Sequence, residues 1–229
     1  MVTAQKFRVL FTLLPACLLC VSLVTAQNAS NSLPGKIDSS AKYLFYLHGQ
    51  VVTELGDNAI NNAAPEWGPY EYSNILDSLK KRGFFVISEI RKKGTDNSFY
   101  TQKICSQADS LLKAGVLAGN IVMVGASSGW DIVLQASASL KNTQVNYVVM
   151  GGCWPGTYKD YSNLQLYGRF LSIIESSDPH GTCAKIFENR ATLTSYREVV
   201  LHTGKSHGFF YKGYDHWINP IAAWLGERK

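Results

Sequence analysis

The segment Gly125-Ala126-Ser127-Ser128-Gly129 sets a serine among small residues, directly after the apolar run Ile121-Val122-Met123-Val124. A serine hydroxyl attacks a carbonyl only if a base takes its proton, so chemistry at Ser127 requires an imidazole and a carboxylate to orient it. A G-x-S-x-G pattern arises by chance in about one chain of this length in fifteen. A glycine-rich turn without chemistry is therefore the competing reading, and context must decide. The chain holds five histidines. His207 lies in the polar loop Thr203-Gly204-Lys205-Ser206-His207-Gly208, which follows an apolar stretch. His48 ends an early apolar run, His180 reads as a surface-loop residue, and His202 ends a strand pattern. His216 opens a helical pattern. Among carboxylates, Asp178 follows Phe170-Leu171-Ser172-Ile173-Ile174-Glu175 after two serines, and Glu175 itself is its main rival. Asp160 and Asp215 fit less well. The working assignment is Ser127 as nucleophile, His207 as base and Asp178 as the orienting acid.

These residues can meet only if the elements before them end at one edge. Apolar, β-rich runs at 42–48, 84–90, 121–125, 145–150, 170–175 and 197–202 read as strands. Helical spacing at 71–82, 98–114, 128–140 and 215–225, with a short helix at 183–189, alternates with them. Alternation of this kind predicts a parallel sheet with helices on both faces, and unbroken apolar strands fit burial on both sides. Ligands of such sheets bind at the carboxyl ends of the strands. Ser127, Asp178 and His207 each follow a strand, and so does the pair His48-Gly49. A glycine there lets the backbone approach closely. It makes the amides of Gln50 and Ser128 the candidate donors to a developing oxyanion.

Taken together, His48-Gly49, Gly125 to Gly129, Asp178 and Ser206-His207-Gly208 resemble the α/β-hydrolase superfamily over nearly the whole chain beyond residue 40. The resemblance is greatest to its small, lidless bacterial esterase-like members. It implies acyl transfer to water with Ser127, His207 and Asp178 as the triad and no metal or organic cofactor. The superfamily's sheet opens with an antiparallel hairpin, for which this chain shows no sequence between residues 27 and 42. A trimmed sheet of about six strands is expected, without a large cap, because the connection at 152–169 is too short for one. A carboxylic ester of a small molecule is the expected substrate; amides, thioesters and polysaccharide acetyl groups remain open, as does a non-catalytic binding role on the same fold. Aromatic residues near the expected site (Trp67, Tyr70, Trp130, Trp154, Tyr158) suit an acyl or aryl group, and they equally suit loop packing.

Hydrophobic residues make up 46% and charged residues 17%, which excludes a disordered chain. The formal charge is +5, and the basic residues are scattered, which speaks against nucleic acid. Lys6 and Arg8, an apolar stretch at 9–24 and the small residues Val24-Thr25-Ala26 read as a signal peptide over 1–26. Residues 27–40 read as a flexible polar segment, and 41–229 as the folded domain. The leader implies a secreted or periplasmic protein with no stable membrane insertion after cleavage. Leu14-Pro15-Ala16-Cys17 matches a lipoprotein signal poorly because of its proline. Asn28-Ala29-Ser30 is a sequon, meaningful only in a eukaryotic host. Beyond the leader three cysteines remain, Cys105, Cys153 and Cys183. Cys153 and Cys183 follow successive late strands and would pair if those strands are neighbours, leaving Cys105 as a buried thiol on a helix. No Cys-x-x-Cys or close histidine pair suggests a metal. Oligomeric state is not legible.

Overall fold

The apolar runs become strands covered on both faces. The computed structural model describes residues 30–61, 67–188 and 190–227. Within them, one sheet holds six strands, all parallel. In chain order these are β1 (Lys42–Leu47), β2 (Phe84–Ile87), β3 (Ile121–Ala126), β4 (Asn146–Met150), β5 (Gly168–Glu175) and β6 (Leu193–Leu201). Their spatial order is β2-β1-β3-β4-β5-β6. The chain moves outward from β1 to β2, then crosses to the other side of β1 for β3. That change of direction opens a crevice at the carboxyl ends of β1 and β3, where Leu47 pairs with Gly125.

Side chains alternate across each strand, so each strand feeds two cores. Tyr43, Phe45, Leu47, Met123, Tyr147 and Phe170 face one layer, with helices α4 (Asn97–Lys113) and α5 (Gly129–Leu140). Leu44, Tyr46, Val122, Val124, Val148 and Leu171 face the other, with α3 (Tyr72–Lys80) and α7 (Asp215–Gly226). The edge strand β6 is the least buried of the six, so its apolar character is the weakest of the set. Helix α4 starts where Asp96 accepts the amides of Ser98 and Phe99 at 2.6 and 3.1 Å, a cap worth about 1 kcal/mol. No helix among the described residues is long and apolar enough to cross a membrane.

Several boundaries differ from the sequence reading. The stretch 51–69, which shows no strand or helix period in the sequence, begins as two short helices, α1 (Gln50–Leu55) and α2 (Asp57–Asn61), broken at Gly56 with φ 53°. Each buries one residue, Val52 or Ala59, which is too little to leave a period in the sequence. Strand β2 stops at Ile87 rather than 90, because Ser88 turns its hydroxyl onto the Tyr46 carbonyl at 2.7 Å. Strand β6 begins at Leu193, four residues before the expected start. The segment 27–40, expected to be flexible, is tied down where it is described. Ser30 forms a parallel bridge to Ile87, and Leu33 and Ile37 pack on the core. The leader at 1–26 and the sequon residues Asn28 and Ala29 lie outside the described residues.

Cys153, after β4, and Cys183, at the start of α6 (Ala184–Phe187), form a disulfide with a Cα–Cα distance of 5.1 Å. Cys105 on α4 is buried and free. The bridge closes a loop of 30 residues. Loop-closure entropy sets its contribution at about 3–4 kcal/mol. Cys153→Ser is therefore expected to lower the melting temperature by about 10 °C, and dithiothreitol should produce the same shift in the wild type and none in the variant.

Candidate active site

The turn between β3 and α5 is tight because its neighbours leave no room. A Cβ on Gly125 would lie 2.4 Å from the Gly129 carbonyl oxygen, and one on Gly129 would lie 2.3 Å from that of Leu47. Between these glycines Ser127 adopts φ 48°, a left-handed conformation that costs a non-glycine residue about 1 kcal/mol or more. Its amide donates to the Met150 carbonyl at 2.8 Å and its carbonyl accepts from Trp130 at 2.9 Å. These bonds hold the strained residue between β4 and the first turn of α5.

Gly49 caps α1 from the end of β1, and a Cβ there would meet the Ser127 Cβ at 2.9 Å. Gln50 is the first residue of α1 and Ser128 caps α5. Amides at such positions have no intrahelical partner. His48 serves the scaffold rather than the chemistry. Its Nδ1 lies 2.9 Å from the Gly49 carbonyl and so carries the proton, leaving Nε2 to accept the Arg91 amide at 2.9 Å. Burial, reinforced by the Arg91 guanidinium, pushes its pKa down to about 3, so His48 stays neutral.

The loop after β6 delivers His207 at the head of a single 3-10 turn, His207–Tyr211. Its Nε2 lies 2.9 Å from Ser127 Oγ, and its Nδ1 lies 2.7 Å from Asp178 Oδ2. Asp178 is buried. Burial alone would raise its pKa, but the hydrogen bond from His207, the His180 amide and the nearby imidazoles hold the carboxyl below its usual value. An ionised carboxylate only accepts, so Nδ1 of His207 carries the proton and Nε2 offers its lone pair to the serine. The three residues singled out in the sequence thus lie within hydrogen-bonding reach.

Glu175, weighed as a rival acid, points elsewhere. It is fully buried at the end of β5. It accepts the amides of Ser177, Thr203 and Gly204 at 2.8, 2.7 and 3.0 Å, and the Ser177 hydroxyl in a short bond. Ser177 Oγ in turn accepts the Ser206 amide at 3.0 Å. Glu175 therefore clamps the histidine-bearing loop to the aspartate-bearing loop. Burial would raise its pKa, yet these hydrogen bonds lower it to about 2.

His180 corrects the sequence reading, which left it on the surface. Its Nδ1 lies 2.6 Å from Asp178 Oδ1, and its amide donates to the same oxygen at 3.0 Å. The His180 and His207 rings stand 4.6 Å apart. The signal lay in the spacing Asp178-x-His180, since an aspartate commonly accepts the amide two residues on. Glu198 was also missed. It accepts from Cys183 N, Thr182 Oγ1 and Ser172 Oγ at 2.9, 2.6 and 2.7 Å, fastening the disulfide loop to β6.

These groups open into a cleft of about 520 Å³, which Gln50, Val51, Trp67, Ser127, Trp154, His180 and His207 help to line. Trp67 packs against His207 with ring centroids 5.6 Å apart, and Trp154 against His180 at 5.4 Å. The connection after β4 forms turns rather than a cap. A larger cavity of about 770 Å³ lies near the amino ends of β5 and β6, beside Arg169, Ser195 and Trp224, and holds none of these groups.

No protein-family profile and no curated protein matches the chain in sequence. Solved structures do resemble it in shape. A putative dienelactone hydrolase from Klebsiella pneumoniae subsp. pneumoniae MGH 78578 superposes with TM-score 0.57 at 13% identity, covering 85% of this chain and 90% of that one. A predicted CIB-like hydrolase from Thermoplasma acidophilum gives 0.52 at 15%, covering 83% and 88%. A hyperthermophilic esterase from Pyrobaculum calidifontis gives 0.54 at 15%, covering 81% and 76%. The chain has the α/β-hydrolase fold. Among the described residues its sheet has six parallel strands, in line with the sheet of about six strands expected from the sequence.

The Glu175 clamp makes a pH-dependent contribution to stability. A carboxyl whose folded pKa is depressed stabilises the fold fully above its unfolded pKa, about 4.3, and loses that contribution as pH falls toward about 2. Glu175→Gln places amide hydrogens against donors and should lower unfolding stability by about 1–3 kcal/mol at pH 7. Urea unfolding of the variant should also vary less between pH 4 and 2 than that of the wild type.

Proposed function

We propose that the chain is a serine hydrolase that cleaves carboxylic esters through an acyl-enzyme. The observation that carries this reading is the continuous path Ser127 Oγ, His207 Nε2, His207 Nδ1, Asp178 Oδ2, with steps of 2.9 and 2.7 Å across its two gaps. As Ser127 Oγ bonds to the substrate carbonyl carbon, its proton passes to His207 Nε2, and the carbonyl electrons move onto oxygen. The Gln50 and Ser128 amides are the proposed donors to that oxyanion, each of a kind worth about 3 kcal/mol. Asp178 stabilises the imidazolium. Collapse expels the alcohol, which takes the proton from His207. Water then repeats the sequence against the acyl-serine, with His207 again as base, and the acid departs.

Trp67 and Trp154 on the cleft walls support an apolar acyl or aryl group as the part recognised. The open cleft supports a small-molecule ester over a long buried chain. No metal or organic cofactor is required for these steps, and neither nucleic acid nor a membrane enters the proposal. The putative dienelactone hydrolase and the esterase that the chain resembles in shape agree with the same class. Export is part of this reading, and the Cys153–Cys183 bridge supports it because disulfides persist in oxidising compartments.

Ser127→Ala should abolish labelling by a fluorophosphonate probe and lower hydrolysis of p-nitrophenyl acetate by at least about a thousandfold. Asp178→Asn should lower it by about 10⁴-fold by allowing the wrong tautomer. Undiminished hydrolysis in Ser127→Ala would overturn the assignment. Absence of labelling in the folded wild type would favour a binding protein on this fold.

A further inference from the structure

Asp178 is bonded by two histidines, one on each oxygen, and the proposed mechanism uses only one of them. Candidate ligand atoms of Asp178, His180 and His207 all lie within 4.8 Å of one another. Two imidazole nitrogens and a carboxylate oxygen form the donor set of three-ligand zinc sites that keep a fourth position for water. The nitrogen–oxygen gaps are hydrogen-bond lengths, 2.6 and 2.7 Å. Tetrahedral zinc bonds of about 2.0–2.2 Å hold neighbouring donors roughly 3.3–3.5 Å apart, so each gap would open by roughly 0.7 Å as the ion replaces the shared protons. His180 is 28% exposed while Asp178 is 2% exposed, so an ion would enter from the His180 side. No thiol competes among the described residues, since Cys105 is buried and the other two cysteines are bridged.

We propose that Asp178, His180 and His207 form a binding site for a divalent transition-metal ion of the zinc type, and that filling it switches the serine off. The inhibitory half rests on the hydrolase reading above; the binding half does not. In the metal-free site each Nδ1 carries a proton that it shares with Asp178. A metal ion takes the Nδ1 lone pair, so each neutral ring must hold its proton on Nε2 instead. One proton moves within each ring and none is released. His207 Nε2 then faces Ser127 as a donor and can no longer accept the hydroxyl proton. The ion and the serine's base therefore compete for one imidazole, and His180 is the residue that makes the competition possible.

Calorimetric titration of zinc chloride into the EDTA-stripped full chain tests the binding half directly. One equivalent should bind, and His180→Asn and Asp178→Asn should each weaken binding by at least about tenfold. His202→Asn and His216→Asn, which alter exposed histidines away from the site, should leave it unchanged. Circular dichroism checks that each variant is folded, and His180→Ala serves as a second test at that position. Zinc should also slow fluorophosphonate labelling of Ser127 in the wild type, relative to its metal-free rate, and fail to do so in His180→Asn at the same concentration. Equal zinc affinity in the wild type and both His180 variants, or no stoichiometric binding below about 1 mM, overturns the site. If zinc binds as expected but Ser127 does not label even without metal, the hydrolase reading fails and the metal site stands. Labelling that zinc leaves unchanged while it is bound at this site overturns the inhibitory half.

Discussion

A carboxylate enclosed by protein survives as an ion only if donors converge on it. Around Asp178 those donors are the imidazoles of His180 and His207 and the amide of His180. With the charge retained, the proton of His207 is confined to Nδ1, and the lone pair on Nε2 is aimed at Ser127 Oγ. Every other feature of the cleft serves this constraint or tolerates it. Glu175 fastens the loops that carry Asp178 and His207. The disulfide and Glu198 fasten the loop that carries His180 and the neighbouring Trp154.

The sheet order explains how residues distant in sequence reach one place. Strands β1, β3 and β5 and the edge strand β6 all run the same way, so the residues after each emerge at one edge. Close packing does the rest. Gly49 approaches Ser127, Gly151 leaves room for the His207 ring, and Gly208 lies against Trp67. A Cβ at Gly151 would stand 3.0 Å from His207 Cε1, and one at Gly208 would stand 2.3 Å from the Trp67 ring. The cleft is shaped by what these positions lack as much as by what its walls contain.

Much of this was legible because strand ends are. Ile121 to Val124 and Phe170 to Ile174 are apolar enough to announce buried strands, and Ser127 and Asp178 follow them directly. What the sequence does not encode locally is the direction of a side chain at such an end. Glu175 and Asp178 both suit an orienting acid by position, and only the fold shows which carboxylate faces His207. His180 escaped for a related reason: its partner is two residues away, yet its importance comes from His207, which another loop supplies. Helices α1 and α2 bury too few residues for a period to show. In β6 exposure at the sheet edge dilutes the apolar pattern, so its start was placed late.

The tautomer of His207 tests the central claim most directly. Nitrogen-15 NMR of metal-free protein labelled in its histidines distinguishes a protonated ring nitrogen from a bare one. A His207→Gln sample identifies the signals that belong to that ring. For the neutral ring of His207 the account predicts a proton on Nδ1 and none on Nε2, with this preference lost in Asp178→Asn. A neutral His207 that carries its proton on Nε2 in the wild type would contradict the account, because Ser127 would then face a donor where a base is required.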